Sequence, residues 1–304
     1  MTEPSDSSAS VPFMHEVTRQ NYPLSALYVV ATPIGNAGDI SLRALHVLGL
    51  ADVIACEDTR NTAQLLHRYG LSRPLLAAHQ HNEREVAQKI IARLQAGARI
   101  ALVSDAGTPA ISDPGARIVD AVLNAGLRVI PLPGASAAIS ALCAAGLVND
   151  QFHFVGFLPA HAAQRDTVLA SLTPMAATLV LYEAPHRIVA TVAALTAIFD
   201  GARQIVFARE LSKLFEQIHR CALAAASAWL AADPQHQKGE FVLLLEGAPA
   251  AVDTEAAEAE RILRILLASC PVSQAATLAA QISGCKKNAL YQRALQISKE
   301  NGAV

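Results

Sequence analysis

Leu102-Val103-Ser104-Asp105-Ala106-Gly107-Thr108-Pro109-Ala110-Ile111-Ser112-Asp113-Pro114-Gly115 is the stretch on which the reading of this chain turns. The apolar run Arg99 to Val103 predicts a buried strand, and Ala116 to Leu123 has helical periodicity that ends at Gly126. A strand, a tight polar loop and a helix form the layout that builds ligand sites at the carboxyl ends of strands in α/β sheets. Gly107 and Gly115 permit positive φ or a close ligand, and Pro109 and Pro114 stiffen the loop. Asp105, Thr108 and Ser112 offer side-chain oxygens. A turn with helix-capping residues is the competing account of an Asp-Pro-Gly loop. The length, rigidity and polarity of this loop keep the ligand site at least level with it.

The same rhythm extends in both directions. Leu27 to Ala31 reads as a strand entering Thr32-Pro33-Ile34-Gly35-Asn36-Ala37-Gly38-Asp39, with a helix from Ser41 to Leu48 capped by Ser41 or Asp39. Two glycines here make neither a dinucleotide fingerprint nor a phosphate loop. Asp52 to Cys56 is a second strand, leading into Glu57-Asp58-Thr59-Arg60 and a helix from Asn61 to Tyr69. Capping by Asp58 or Thr59 accounts for part of that cluster, not for Arg60. Leu75 to Ala78, a helix from Glu83 to Gln95, the strand Arg128 to Leu132 and a helix from Ser136 to Ala144 complete the first half. The small residues Gly134 to Ala138 suit either a ligand at free helix N–H groups or close helix–sheet packing.

A second alternation follows. Strands are predicted at Phe152–Phe157, Thr178–Tyr182, Gln204–Ala208 and Glu240–Leu245, with helices at 163–171, 188–199 and 222–230. From Asp253 the pattern becomes wholly helical, with segments at 254–268, 272–282 and 286–297. Ser283-Gly284-Cys285 makes a helix–turn–helix possible there. Lys286, Lys287, Arg293 and Lys299 make this end locally basic, a pattern that more often marks a solvated face than a nucleic-acid surface. The expected division is a mobile extension (1–23), an α/β domain (24–148), a second α/β domain (149–249) and a helical tail (250–304).

Composition bounds the class. The chain has 304 residues, a formal net charge of −2 and 52% hydrophobic residues, enough for two cores. With no global basic footprint, nucleic-acid contact must rest on a local patch. Five scattered cysteines without a C-x-x-C pair argue for reduced thiols and against zinc. Neither a signal-peptide core nor an apolar run long enough for a bilayer is present, so the expectation is a cytoplasmic protein with no membrane partner and no metal.

Several segments fit one family together. They are Ala31-Thr-Pro-Ile-Gly-Asn36, Gly38-Asp-Ile-Ser41, Glu57-Asp-Thr-Arg60, the loop Ser104 to Gly115, and Pro133-Gly-Ala-Ser136. They continue with Gly156-Phe-Leu-Pro159, Tyr182-Glu-Ala-Pro-His-Arg187, Ala208-Arg-Glu-Leu211 and Gly239-Glu-Phe241. In order and spacing this chain resembles the bacterial 16S rRNA ribose 2′-O-methyltransferases, the small subunit methyltransferase I family of the tetrapyrrole-methylase-like class. The resemblance implies a homodimer of two-domain α/β subunits, with S-adenosylmethionine in the cleft between the domains. It implies as substrate a cytidine in the decoding region of 16S rRNA, in the small ribosomal subunit. Carried over, it assigns cofactor binding to Pro33, Asp105, Gly107, Thr108, Ile111, Ser136, Ala137, Tyr182 and Gly239. The chain departs from the family pattern at Cys56, Ser212, Gln217, Cys221 and Ala222.

A sulfonium cofactor already carries an activated methyl, so the protein must supply placement, a dry cleft and help with a weakly acidic hydroxyl. The candidates for catalysis are Glu57, Asp58, Arg60, Glu183, Glu210 and Lys213, with Arg60, Arg187 or Lys213 suited to a neighbouring phosphate. The sequence does not choose among them. Two rivals remain: a tetrapyrrole methylase of the same fold, and a DNA-binding protein that uses the helical tail.

Overall fold

A computed structural model describes residues 12–249 and 254–301 of the chain. The apolar runs of the first half become five parallel strands. In chain order the elements are α1 (Pro12–Thr18), β1 (Ala26–Val30), α2 (Leu42–Leu50), β2 (Val53–Cys56), α3 (Thr59–Arg68) and β3 (Leu75–Ala77). Then come α4 (Glu83–Gln95), β4 (Arg99–Val103), α5 (Ala116–Asn124), β5 (Arg128–Leu132) and α6 (Ala137–Ala144). The sheet order is β3-β2-β4-β1-β5, and every neighbouring pair is parallel. β1 and β4 lie side by side, yet β1 leads through α2 toward one edge and β4 through α5 toward the other. A crevice opens at the carboxyl ends of such a pair.

Strand alternation sorts the core. Tyr28, Val30, Ile54 and Ala101 pack with Val47, Leu48 and Leu66 on one face. Leu27, Ala55, Ile100 and Leu102 pack with Ile90, Leu94, Ile118 and Val122 on the other. Ser41 caps α2 by accepting from the Ala44 amide, and Asp58 caps α3 by accepting from the Arg60 amide.

The second half contains β6 (Phe152–Phe157), α7 (Ala162–Leu172), β7 (Thr178–Glu183), α8 (Ile188–Ile198), β8 (Gln204–Arg209), β9 (Gln217–Ala222), α9 (Leu223–Ala232) and β10 (Phe241–Leu245). The order is β6-β7-β10-β8-β9, with only the β6–β7 pair parallel among these neighbours. Fully buried β10 runs antiparallel between β7 and β8. α6 leaves the first sheet and lays Ala138, Ala141 and Ala145 on Val180, Val206, Ala208 and Val242 of the second. Small residues let this helix approach the second sheet closely.

One strand carries no signal in the sequence, and one expectation needs correction. The span 217–222 carries no strand signal, because Gln217, His219 and Arg220 interrupt its apolar residues; it is the edge strand β9, held by pairing with β8. The expected mobile extension is in part ordered. Residues 12–18 are helical, and Val17 and Tyr22 pack into the first core, with the Tyr22 hydroxyl donating to the Val17 carbonyl at 2.9 Å. Residues 1–11 of that extension lie outside the described residues.

By contact density β1–β10 fall in one compact unit, and Leu172–Ala177 with the described residues from Glu246 onward in another. Within this second unit are α10 (Thr254–Leu267), α11 (Val272–Ser283) and α12 (Lys287–Asn301). They close on Ala259, Leu263, Ala275, Ala279, Leu290 and Ile297. Gly284 ends α11 in the left-handed region, at φ 74°. Among the described residues no helix is long and apolar enough to cross a membrane.

Gly134 follows β5, where an added Cβ would stand 2.7 Å from the Ala31 Cβ. Gly134→Ala is therefore expected to lower the urea midpoint without changing the slope, at a cost of about 1–3 kcal/mol. Equilibrium denaturation measures it, and an unchanged midpoint would show that the two strand ends yield freely.

Candidate active site

The crevice between β1 and β4 is closed by a backbone bridge. The Thr32 amide donates to the Gly107 carbonyl at 2.8 Å, and the Gly107 amide returns a bond to Thr32 at 2.9 Å. The Thr32 hydroxyl donates to the Ser104 carbonyl at 3.0 Å. Gly107 holds φ 81° to make this turn, a conformation that suits glycine. Ala110 and Ser112 also take positive φ, 67° and 62°, on either side of Ile111. Such strain costs about 1–3 kcal/mol per residue and collects at functional loops. Gly156 of β6 passes so close that a Cβ there would meet the Ser112 hydroxyl at 2.9 Å.

Above this bridge lies a cavity of about 340 Å³, within the size range of small-molecule sites. The first sheet contributes Ile34, Asp105, Gly107, Thr108, Ile111 and Asp113, and the start of α6 contributes Ser136 and Ala137. The second sheet contributes Phe157, Tyr182, Glu183, Lys213, Glu240 and Phe241. Ser136 makes no side-chain capping bond on α6, while the Ala138 amide donates to the Tyr182 hydroxyl at 3.2 Å. Tyr182 is wedged between Phe154 and Phe157, and burial pushes its phenol up.

The two walls differ in charge. On the first, the Asp58 amide and the Asn61 amide group donate to the two oxygens of Asp105, at 3.2 and 2.8 Å. Burial, then Asp105 and Asp58, push the Glu57 carboxyl up. Burial, then Glu57, push Asp113 to about 6. On the second, the Lys213 ammonium donates to Glu210 at 2.9 Å and to Glu240 at 2.8 Å. Burial pushes Glu210 upward, but the Glu240 amide and Lys213 hold it below its ordinary value. Burial likewise opposes the Lys213 charge, and Glu240 and Glu210 overcome it, so its pKa is raised. Glycine makes this cluster possible: at Gly239 (φ 87°) a Cβ would lie 2.4 Å from Glu210 Cγ. At Gly35 a Cβ would lie 2.5 Å from Lys213 Cγ.

Of the residues the sequence singles out, Asp105, Gly107, Thr108, Ile111, Ser136, Ala137, Tyr182, Glu183 and Lys213 line the cavity. Pro33, Gly239 and Glu210 are not among the lining residues; the first two are chain neighbours of the lining Ile34 and Glu240, and Glu210 accepts from the lining Lys213. Glu57 stands near its acidic end. Asp58 serves as the α3 cap and is held at about 2 by its bonds from Arg60, whose side chain is 87% exposed. Glu183 is buried, ion-paired with Arg187 Nε at 3.1 Å and accepting from the Thr191 hydroxyl at 2.5 Å. Arg187 also donates to the Leu158 carbonyl at 2.6 Å, so it braces α8 and the β6 loop rather than facing solvent. Sequence reasoning missed Ile34, Asp113, Phe157, Glu240 and Phe241 as lining residues. Asp113 lay in the quoted loop, and its Ser-Asp-Pro context was the available signal.

This combination of sheets and cavity has known counterparts. Residues 26–227 match the family model of the Tetrapyrrole (Corrin/Porphyrin) Methylases, and residues 253–298 match that of the RsmI C-terminal HTH domain. The fold resembles that of the methyltransferase CobJ (TM-score 0.55, 20% identity, 73% of this chain and 94% of that one). It also resembles cobalt precorrin-4 methyltransferase CbiF (TM-score 0.53, 17% identity, 72% and 94%). The class is thus a methylase of the tetrapyrrole type.

Closer relatives narrow it. The chain is 50% identical over 272 residues to ribosomal RNA small subunit methyltransferase I of Pseudomonas aeruginosa, covering 89% of this chain and 96% of that protein. The enzyme of the same name from Escherichia coli O157:H7 is 47% identical over 270 residues, covering 89% and 94%. The chain belongs to the ribosomal RNA small subunit methyltransferase I family.

Gly107 tests the site. Valine disfavours φ 81°, and both backbone groups of this residue are committed to Thr32. Gly107→Val is expected to abolish S-adenosylmethionine binding in titration calorimetry while the far-ultraviolet circular dichroism stays native. Normal binding by the folded variant would remove the loop from the cofactor site.

Proposed function

We propose that this protein transfers the methyl group of S-adenosylmethionine to the ribose 2′-hydroxyl of a cytidine in the decoding region of 16S rRNA. The observation that carries this reading is the cavity between the strand ends of the two sheets, in a chain about half identical to rRNA methyltransferases over most of its length. The donor set fits the cofactor. Ile34, Ile111, Phe157 and Phe241 give apolar walls for a nucleoside and a thioether, Ser136 offers a hydroxyl not used in capping, and Asp105 and Asp113 give acceptors. The bound cofactor supplies an activated methyl on a cationic sulfur.

The remaining work falls to side chains. Glu57 suits the proton acceptor for the hydroxyl, because its acidity is shifted toward neutrality. Asp58, Glu183 and Glu210 are less suited, each held by a cation or amide of the fold. Lys213 is a fixed positive charge in the wall, suited to a phosphate or a developing alkoxide. The exposed Arg60 suits RNA backbone. We read the protein as a cytoplasmic homodimer whose partner is the small ribosomal subunit.

Incubating the protein with small subunits and methyl-labelled cofactor is expected to place label on a ribose of 16S rRNA and none on a porphyrinoid offered in parallel. The opposite distribution would favour the tetrapyrrole rival. Glu57→Gln is expected to keep cofactor affinity and to lower the single-turnover rate about a hundredfold or more. A normal rate would leave catalysis to placement alone.

The tail makes a separate contribution to the reading. Lys286 and Lys287 are exposed at the turn and start of α12. Arg293 instead donates to Glu260 at 2.8 and 2.9 Å, so it is an internal brace of this unit. Changing Lys286 and Lys287 to Glu is expected to lower the salt slope of subunit binding by roughly one per residue. An unchanged slope would make them a solvated face.

A further inference from the structure

We propose that His79 and His81 form a stacking platform for the base of the nucleotide whose ribose is methylated, so that the imidazole pair holds this base while the 2′-hydroxyl meets Glu57. The inference rests on the methyl-transfer reading and adds to it a contact that places the RNA.

Strand order sets the positions. β3, β2 and β4 are consecutive neighbours in the first sheet. β3 pairs with β2 so that Ala77 lies beside Cys56, and the Ala78 amide donates to the Cys56 carbonyl at 2.8 Å. β2 pairs with β4 so that Cys56 lies beside Val103. The chain therefore leaves the sheet in three adjacent places, as Ala78-His79, Glu57-Asp58 and Ser104-Asp105. Asp105 lines the cavity, Glu57 comes next, and His79 stands beyond it. With neighbouring strands about 4.8 Å apart, the row from Asp105 to His79 is about 10 Å long, room for one nucleoside. Burial, then Asp105 and Asp58, push the Glu57 carboxyl up, and His79 is close enough to pull it partly back.

Methyl transfer fixes which way the nucleotide points. The hydroxyl oxygen attacks the methyl in line, from the side opposite the sulfur. The ribose carbon behind that oxygen, and the base on the next carbon, therefore project away from the cofactor. With the cofactor in the cavity and the hydroxyl at Glu57, that direction along the sheet edge leads to His79. The phosphate has a separate partner in Arg60, exposed in the first turn of α3.

The loop after β3 is built to present the two rings. Asn82 stands in the capping position of α4 but makes no capping bond. Its carboxamide accepts from the His79 amide at 2.8 Å and donates to the Ala77 carbonyl at 3.0 Å. The Asn82 amide donates to the His79 carbonyl at 3.0 Å. An asparagine cap stabilises a helix by about 1 kcal/mol, and here the side chain holds the loop instead. Glu83 follows, buried, and accepts from the Gly115 amide at 2.6 Å, which ties the start of α4 to the cavity loop. His79 and His81 are both exposed and meet edge to face, with ring centroids 6.1 Å apart. Among the described residues neither ring makes a hydrogen bond or an ion pair, so the pair does no bonding work for the fold. Unstacked RNA bases are held by stacking on aromatic side chains, histidine included, and this pair offers such faces beside the proton acceptor.

Methylation of unmodified small ribosomal subunits by the full chain, with labelled S-adenosylmethionine, tests this. Changing His79 and His81 together to Ala is expected to raise the half-saturating subunit concentration roughly tenfold or more, as the loss of one stacked base does. Cofactor affinity in titration calorimetry should stay level. His79→Phe should keep half-saturation near the wild-type value, because a phenyl face stacks without charge or a mobile proton. Ultraviolet irradiation of the His79→Phe variant on subunits should join residue 79 to 16S rRNA at the labelled nucleotide. Unchanged half-saturation in the double alanine variant would overturn the proposal. A His79→Phe defect as large as that of the double alanine variant would overturn it in favour of a phosphate contact or a proton relay. A crosslink to a ribosomal protein alone would overturn it too. If the double alanine variant lost cofactor binding and so proved misfolded, His79→Ala and His81→Ala singly carry the same test. Failure of the wild-type protein to label a ribose of 16S rRNA would instead sink the methyl-transfer reading beneath it.

Discussion

The two-bond bridge between Thr32 and Gly107 is the constraint on which the site depends. Parallel strands β1 and β4 end side by side, and their loops would otherwise diverge toward opposite edges of the sheet. The bridge, with the Thr32 hydroxyl bound to the Ser104 carbonyl, ties both loops into one floor. Once Gly107 is fixed at positive φ, Thr108 reaches the Ala135 carbonyl at 3.0 Å and Asp105 reaches the start of α3. Four loops of the first sheet, those after β1, β2, β4 and β5, thus become one surface. Each bond alone contributes modestly, about 1 kcal/mol net. Their effect is geometric, because all four loops lose freedom together.

The second sheet meets that surface through contacts that glycine permits. Gly35 lies against Leu211 and Lys213, and Gly156 against Ser112, each at distances that leave no room for a Cβ. α6 completes the joint, since its alanine face packs on β7, β8 and β10 while Ser136 and Ala137 at its start line the cavity. The two explanations open for the small residues Gly134 to Ala138 are therefore not alternatives. Close packing on the second sheet is what brings the N-terminus of the helix to the site.

Much of this was legible because period and punctuation agreed. β4, β5, β6 and α4 fall where apolar runs and glycines put them. The lining glycine, threonine and serine residues were legible too, because they interrupt apolar strands at their carboxyl ends. β9 was not, since an edge strand needs no continuous apolar run and its pairing with β8 is a tertiary fact. Ile34, Phe157 and Phe241 were hidden for the opposite reason: an apolar residue at a strand end looks the same whether it faces a core or a ligand. Val17 and Tyr22 show the limit for polar segments, where two side chains docking on a core order a stretch that composition leaves free.

Charge was the least legible feature, because partners distant in sequence decide what a charged side chain is free to do. Arg293 lies in a basic run, yet Glu260, from the preceding helices, holds it in a bond network that also includes Arg264. Arg187 follows an acidic residue at a strand end, but it is partly buried and shared between Glu183 and the Leu158 carbonyl. Removing it would leave the buried Glu183 unpaired, a cost of about 3–5 kcal/mol for a broken buried pair. A phosphate cannot recruit Arg187 without incurring that cost. Arg60 differs in kind. Its pair with Asp58 is solvent-exposed, and such pairs are weak and screened by salt. An RNA phosphate can draw Arg60 away while Asp58 keeps its cap on the Arg60 amide. The same two residue types, an acid followed by an arginine at the end of a strand, thus do different work, and burial is what separates them.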